Sequence, residues 1–448
     1  MGMDIAERLA SKDMIVGVIG LGYVGLPLAV GFGGAGLRVV GVDVDTARLE
    51  SLRRGESYLM DVAGGDVAEL VGDGRLTVTS DYDELVRADA IFICVPTPFT
   101  PTKAPDISYI VAVAKEVAKR LRREQVIILQ STTHPGTTEE DVLPILATSG
   151  LRAGADFHLA FSPERINPGD RVHTVRNMPK VVGGLTPRCA DLARIVLGHL
   201  TPQVFVVSSP RTAEMSKLLE NTFRNVNIAL VNELSLLCQR MGIDIWEVIA
   251  AAATKPFGFM PFFPGPGVGG HCIGVDPYFL SWKARAYDFY TKFIEIAAEV
   301  NESMPFHVYQ LVAAALNRRG KPVNGSKVLV LGVAFKKDID DARNSPAQRI
   351  IELLLENRAQ VSYNDPYVPR FEAKSTAFGN GTKVLESVPL DAETLGGSDC
   401  VVIVAGHSVY DWHDIVARAP LVVDTVNATK GVEGCREKVV RLGAPHAE

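Results

Sequence analysis

No two of the six cysteines, Cys94, Cys189, Cys238, Cys272, Cys400 and Cys435, stand in a CxxC pair. The chain therefore offers neither the ligand spacing of a structural zinc site nor the framework of a disulfide-stapled domain, and no metal is expected. Long apolar runs are missing too, none reaching the roughly 18–20 residues that span a bilayer. The opening MGMDIAERLASKD carries acids and lacks the apolar core of a secretory signal. The expectation is a soluble, cytoplasmic protein without membrane contact. Nor is there a surplus of positive charge: 46 Lys and Arg against 52 Asp and Glu leave a formal net charge of -6. That argues against the basic footprint of a nucleic-acid binder, while leaving room for a local basic pocket that holds a phosphorylated small molecule. Low-complexity tracts are absent, and 448 residues, 47% of them apolar, suffice for two or three packed domains.

What is present first is alternation. From Met14, short β-branched runs alternate with helical stretches, as in a parallel sheet covered by helices. Strands are predicted at MIVGVIG, LRVVGVD, AIFICVP, QVIILQST, FHLAFSPE and QVFVVS. From Thr212 the β signal gives way to apolar residues at three- and four-residue steps, through Leu218, Leu219, Phe223, Val226, Leu230, Leu234 and Leu237. This predicts a long helix, stopped at Gly242, whose region buries surface against its neighbours and serves as a dimerisation element. More helix follows to near Asn317, and at Ser326 the β/α alternation restarts with KVLVLGVAF, AQVSYNDP, CVVIVAG and LVVDTVN. The predicted fold class is α/β: two Rossmann-like, doubly wound parallel sheets, at residues 14–210 and 325–448, joined by a central helical region at 211–318. The second half reads as a distant repeat of the first.

Gly20-Leu21-Gly22-Tyr23-Val24-Gly25 lies between a predicted strand and a predicted helix. The first glycine permits the tight turn, the second lets a pyrophosphate approach backbone N–H groups, and the third lets helix and strand pack closely. The phosphates then meet the positive end of a helix dipole. Asp43, ending the second strand, would bond ribose hydroxyls and repel a 2′-phosphate, which favours NAD over NADP. The second α/β half has only Gly332 at the corresponding turn, so it binds something else.

PGPGVGGHCIGVDPY, residues 264–278, surrounds Cys272 with glycine and proline, and apolar periodicity does not explain that cysteine. Beside an NAD site, a thiol suggests covalent aldehyde oxidation through a thiohemiacetal and a thioester that water cleaves. This needs donors for an oxyanion and a base for water. Lys217 and Asn221, four residues apart, share a helix face and suit either that task or a solvated pair. Asp276 suits a base, a partner for Lys217 or a turn cap. Glu164 ends a strand on the edge where open α/β sheets bind ligands, or is an ordinary strand-end acid. His271 could tune the thiol or simply occupy the turn.

Together GLGYVGLP, CVPTP, QSTTHPGTT, FSPERINPGD, EMSKLLENTFRNVNIALVNE, GVGGHCIGVDP and VLGVAFKKDIDDARNSP resemble the nucleotide-sugar 6-dehydrogenases, the family of UDP-glucose and GDP-mannose dehydrogenases. The segments run in family order over almost the whole chain. The resemblance implies a four-electron oxidation of the sugar C6 alcohol to a carboxylate, with two NAD consumed. It makes Cys272 the nucleophile, lets Lys217 steady the oxyanion and Asn221 hold substrate, gives Asp276 the handling of water and protons, and lets Glu164 with Thr132 position a water. It implies further NAD contacts at Arg48, Thr97, Thr132 and Arg343, and substrate contacts at Glu164, Arg165, Lys217, Asn221, Phe263, Gly269 and Lys336. The UDP half of the substrate falls to the C-terminal domain, and the central helices to a homodimer. Where UDP-glucose dehydrogenases commonly have Cys-Leu-Pro-Lys-Asp, this chain has Cys272-Ile273-Gly274-Val275-Asp276, without the lysine. That loop and SPERINPGD look more like the branch acting on UDP-N-acetylhexosamines, with the N-acetylglucosamine form favoured over N-acetylmannosamine and over UDP-glucose. An epimerase or β-hydroxyacid dehydrogenase would share the first domain and need no thiol; a nucleotide-sugar or NAD sensor would need no turnover.

Overall fold

The computed structural model describes residues 4–445 except 101–102, 168, 171, 271–272, 375–380 and 435. The chain forms two compact units, Met1–Glu220 with Tyr278–Tyr290 and Asn221–Pro277 with Thr291–Glu448.

The first unit is built on β1 (Ile15–Ile19), β2 (Arg38–Val42), β3 (Leu76–Thr79), β4 (Ala90–Ile93), β5 (Val126–Leu129), β6 (His158–Phe161), β7 (Lys180–Gly184) and β8 (Val204–Val207). They form one sheet in the order β3-β2-β1-β4-β5-β6-β7-β8. The central strands are buried on both faces because helices cover both, which is why IVGVI, AIFI and VIIL read as unbroken apolar runs. On one side, Leu26 and Phe32 of the helix Gly25–Gly34 pack with Val16, Val18 and Phe92. On the other, Val113 of the helix Ser108–Ala118 packs with Ile91, Ile127 and Phe161. Chain order reverses between β1 and β4, so the carboxyl ends of those two strands open the crevice where such sheets take ligands.

One pair departs from the parallel expectation: β7 runs antiparallel to β6, with Ala160 opposite Gly184. The described part of the segment between them contains no helix to carry the chain back across the sheet, so it returns from the end at which it left. The short strands β3 and β7 were not anticipated; LTVT and KVVGG are too brief for periodicity to single out.

The second unit holds β9 (Lys327–Leu331), β10 (Gln360–Asn364), a hairpin of β11 (Arg370–Lys374) and β12 (Thr382–Glu386), then β13 (Cys400–Ile403), β14 (Val422–Asp424) and β15 (Val439–Arg441). Its main sheet is wholly parallel in the order β10-β9-β13-β14-β15. Its opening repeats that of the first sheet. Gly332 follows β9 with φ +79° and donates to Asn364 O (2.9 Å), as Gly20 follows β1 with φ +87° and donates to Val42 O (2.8 Å). Asp365 accepts from Val333 N (2.7 Å) as Asp43 accepts from Leu21 N (2.7 Å). In the second copy, however, the carboxylate also meets the fully buried His407, at 3.1 Å.

The long helix Pro210–Met241 ends against Gly242, which takes φ +71°. Its burial inverts much of the expected pattern, although Leu218 is fully buried and Val226 half-buried. Leu219, Phe223, Leu230, Leu234, Leu237 and Met241 are exposed, while Asn221, Asn225, Ala229, Asn232 and Ser235 are buried. Hydrogen bonds satisfy the polar inner row: Asn232 Nδ2 donates to Asn301 Oδ1 (2.9 Å), Asn301 Nδ2 to Asn225 Oδ1 (2.8 Å), and Gly265 N to Asn232 Oδ1 (2.9 Å). Asn301 belongs to the second long helix, Lys292–Arg318. The apolar spacing that announces the Pro210–Met241 helix is largely that of its outer face. Among the described residues no helix is long and apolar enough to cross a membrane.

Candidate active site

In the first unit the turn after β1 is held from three sides. A methyl on Gly20 would meet Cys94 O at 2.7 Å, and one on Gly25 would meet Gly20 O at 1.8 Å; one on Gly22 would find only Arg48 Nη1, at 4.0 Å. Two glycines are thus demanded by the protein, and the middle one faces space. Tyr23 and Val24 sit half-buried at the turn, leading into the helix Gly25–Gly34. Asp43 is buried; Oδ2 takes Leu21 N, Oδ1 takes Asp45 N (2.9 Å), and Arg48 Nη1 lies 3.6 Å from Oδ2. Tyr58, absent from the sequence reading, donates its hydroxyl to Leu21 O, and burial pushes that phenol up from its ordinary range.

Further along the carboxyl edge, Thr97 Oγ1 donates to Thr132 O (2.6 Å), tying the loop after β4 to the loop after β5. Glu164, just past β6, is buried, and four donors make five hydrogen bonds to it. Arg165 N (2.7 Å) and Ile166 N (3.0 Å) reach Oε1, Gln130 Nε2 (2.9 Å) reaches Oε2, and Lys180 Nζ reaches both, at 3.1 and 2.8 Å. Arg165 sends its guanidinium to Glu220 (2.5 Å) and to Pro179 O (3.2 Å). On the long helix, Glu214 accepts from Gly136 N (2.6 Å) and Thr138 N (2.9 Å), clamping the loop that bears Thr132; burial raises this carboxyl above its usual range. Lys217, one turn on, is 8% exposed, and no hydrogen bond or ion pair joins it to another described residue.

In the second unit Asn221 Nδ2 donates to Asp276 Oδ2 (2.5 Å), both residues buried, with Asp276 opening the helix Asp276–Ala284. Cys272 and His271 lie outside the described residues. The flanks of their loop are defined by packing. A methyl on Gly269 would meet Phe335 Cβ at 2.6 Å, and Gly270 N donates to Arg343 O (3.1 Å). Val275, just before Asp276, is buried. Phe263 is exposed and stacks on Trp246 at 6.1 Å. Lys336 is half-buried after β9, and Arg343 forks onto Asp341 at 2.6 and 2.9 Å. The structure therefore joins Thr97 to Thr132 and Asn221 to Asp276, and places Arg343, Lys336, Phe263 and Gly269 in the second unit.

Comparison with known proteins agrees over most of the chain. Residues 14–201 match the NAD binding domain of the UDP-glucose/GDP-mannose dehydrogenase family, residues 211–303 its central domain, and residues 329–431 its UDP binding domain. The chain belongs to this family. It is an NAD-dependent UDP-sugar dehydrogenase. It is 39% identical to the UDP-N-acetyl-D-glucosamine 6-dehydrogenase of Pseudomonas aeruginosa, over 89% of this chain and 92% of that protein. It is 36% identical to the UDP-N-acetyl-D-mannosamine dehydrogenase of Escherichia coli K12, over 88% and 94%. Among solved structures, that of a UDP-D-ManNAc dehydrogenase from Pyrococcus horikoshii superposes with a TM-score of 0.86 at 32% identity, covering 96% of this chain and 99% of that one.

The residues of this dehydrogenase fit NAD: an open middle glycine, a helix N-terminus at the crevice and a buried carboxylate at the end of β2. Sequence reading missed Lys180, Gln130, Glu214 and Tyr58. Gln130 and Glu214 sit inside segments quoted for the family likeness, QSTTHPGTT and EMSKLLENTF, and polar residues there were the available signal; Lys180 and Tyr58 had none.

Proposed function

We propose that this dehydrogenase oxidises the C6 hydroxymethyl of UDP-N-acetylglucosamine to the carboxylate. The observation that carries the chemistry is Lys217: a buried cation without a described partner, one helical turn from the Asn221–Asp276 pair. A lysine ammonium with no ion-pair partner among the described residues suits a developing oxyanion.

In this reading the alcohol is first oxidised to the aldehyde. The Cys272 thiolate adds to C6, and Lys217 holds the resulting oxyanion. A second oxidation gives the thioester, which water cleaves to the acid and the free thiol. Bound NAD supplies the hydride acceptor for each oxidation, so two are reduced per sugar. Asn221, anchored by Asp276, orients the sugar, and Asp276 handles the proton of the water. The choice of sugar is supported by the Pseudomonas relative and by the HCIGVDPY loop. The helical segment 211–318 serves as the dimerisation element, because its long helix turns its apolar row outward.

A panel of UDP-sugars with NADH absorbance tests this. UDP-N-acetylglucosamine is expected to give the highest kcat/KM and two NADH per sugar, and Cys272→Ala to lower turnover about a thousandfold. Higher kcat/KM with the mannosamine epimer or UDP-glucose overturns the sugar, one NADH per sugar overturns the four-electron route, and no NADH with any overturns the activity.

A further inference from the structure

The reversal of β7 has a chemical result. In a parallel strand the residue beside the carboxyl end of β6 would be a strand end; because β7 is antiparallel, it is the strand's first residue, Lys180. Its ammonium thereby reaches the ligand edge of the sheet and pairs with Glu164 at 2.8 and 3.1 Å. Both residues are buried, Lys180 completely. Gln130, just past β5, adds a donor at 2.9 Å and accepts from Cys94 Sγ at 3.4 Å. Three strand ends and the turn at Arg165 and Ile166 thus meet on one carboxylate.

The other charged groups near it are Arg165 on its own turn and, beyond that guanidinium, Glu220 of the long helix. Cys94 presents a thiol that burial, then the charge of Glu164, keeps protonated. Lys180 is therefore the one cation bonded to this carboxylate among the described residues. Removing the partner of a buried ion disfavours its charged form.

We propose that Lys180 is a positioning residue for the reaction: with Gln130 it orients Glu164 at the carboxyl edge and maintains it as a carboxylate, the form in which Glu164 supports turnover. The proposal rests on the activity put forward above. Lys180→Met is expected to lower kcat at least about tenfold near neutral pH, with KM for the sugar nucleotide within about threefold. The deficit shrinks as pH rises, because Glu164 then loses the proton it has gained. Lys180→Met combined with Glu164→Gln loses that recovery.

A deficit of one size across roughly pH 6–9, as a merely structural role would give, overturns the proposal; so does wild-type activity in Lys180→Met. Should Lys180→Met not fold, Gln130→Leu keeps both charges and removes one donor: its acid limb of kcat should move to higher pH, and an unmoved limb overturns the proposal. If the wild-type enzyme reduces NAD with no UDP-sugar, the reading of function fails; if it is active, the variants judge Lys180 alone.

Discussion

The three glycines of the cofactor turn separate by what a side chain would meet. Gly25→Ala places a methyl 1.8 Å from Gly20 O, so the turn must open, and both thermal stability and NAD binding should fall. Gly22→Ala meets nothing of the protein closer than 4.0 Å. It should keep its melting temperature while NAD affinity, by calorimetry, drops about tenfold or more; unchanged affinity would mean the pyrophosphate does not approach residue 22. A second residue-scale prediction concerns Cys189, which faces His158 Nδ1 at 3.6 Å and Thr186 Oγ1 at 3.1 Å. Burial alone would push this thiol up, but hydrogen bonds from His158, Thr186 and backbone N–H groups outweigh it and bring it down to about 7. A lowered acid contributes stability above its unfolded range, near 8.5, and loses it as pH falls through the folded value. The melting-temperature difference between wild type and Cys189→Ala should therefore grow from pH 7 to pH 9; a constant difference would contradict the assignment.

Among elements, the long helix shows where pattern reading stops. Its apolar period located it correctly, yet period alone does not say which face is inside, and here Asn225, Asn232 and Ser235 face inward. Polar residues enter an interior when each finds a partner: Ser235 Oγ donates to Asn232 O on its own helix, but the partners of Asn225 and Asn232 are Asn301 and Gly265, far along the chain and invisible to local inspection. Asn232→Ala strands Asn301 Oδ1 and Gly265 N and should cost about 1–3 kcal/mol in urea unfolding; a loss below 0.5 kcal/mol would show that water replaces the amide. Strand direction was equally hidden. KVVGG carries the composition of a strand, but its antiparallel course depends on a connection without a helix, and so Lys180 could not be placed beside Glu164 from sequence.

For the molecule as a whole, the two sheets, parallel but for the β6–β7 pair, were legible because β-branched runs, helical spacing and one glycine fingerprint agree with one another. The candidate site was legible only in part. Lys217, Asn221, Asp276 and Glu164 carry their signal in residue type and motif, whereas the side-chain donors that orient Glu164, Gln130 and Lys180, come from the ends of other strands. Assembly belongs to this scale as well. The row Leu219, Phe223, Leu230, Leu234, Leu237 and Met241 is exposed, and in the dimer proposed above it would be the face that meets a second copy about a two-fold axis. Leu230→Glu with Leu237→Glu should convert a dimer to a monomer in sedimentation, whereas a wild-type enzyme sedimenting as a monomer would refute the interface.

That outward row, roughly 33 Å from end to end, also bears on how damaged variants will present. In the proposed dimer, a subunit unable to find its mate shows water a greasy seam on an otherwise sound body. Such changes will surface as precipitation during expression, and without a refolding control at high dilution they would be mistaken for failures of the fold itself.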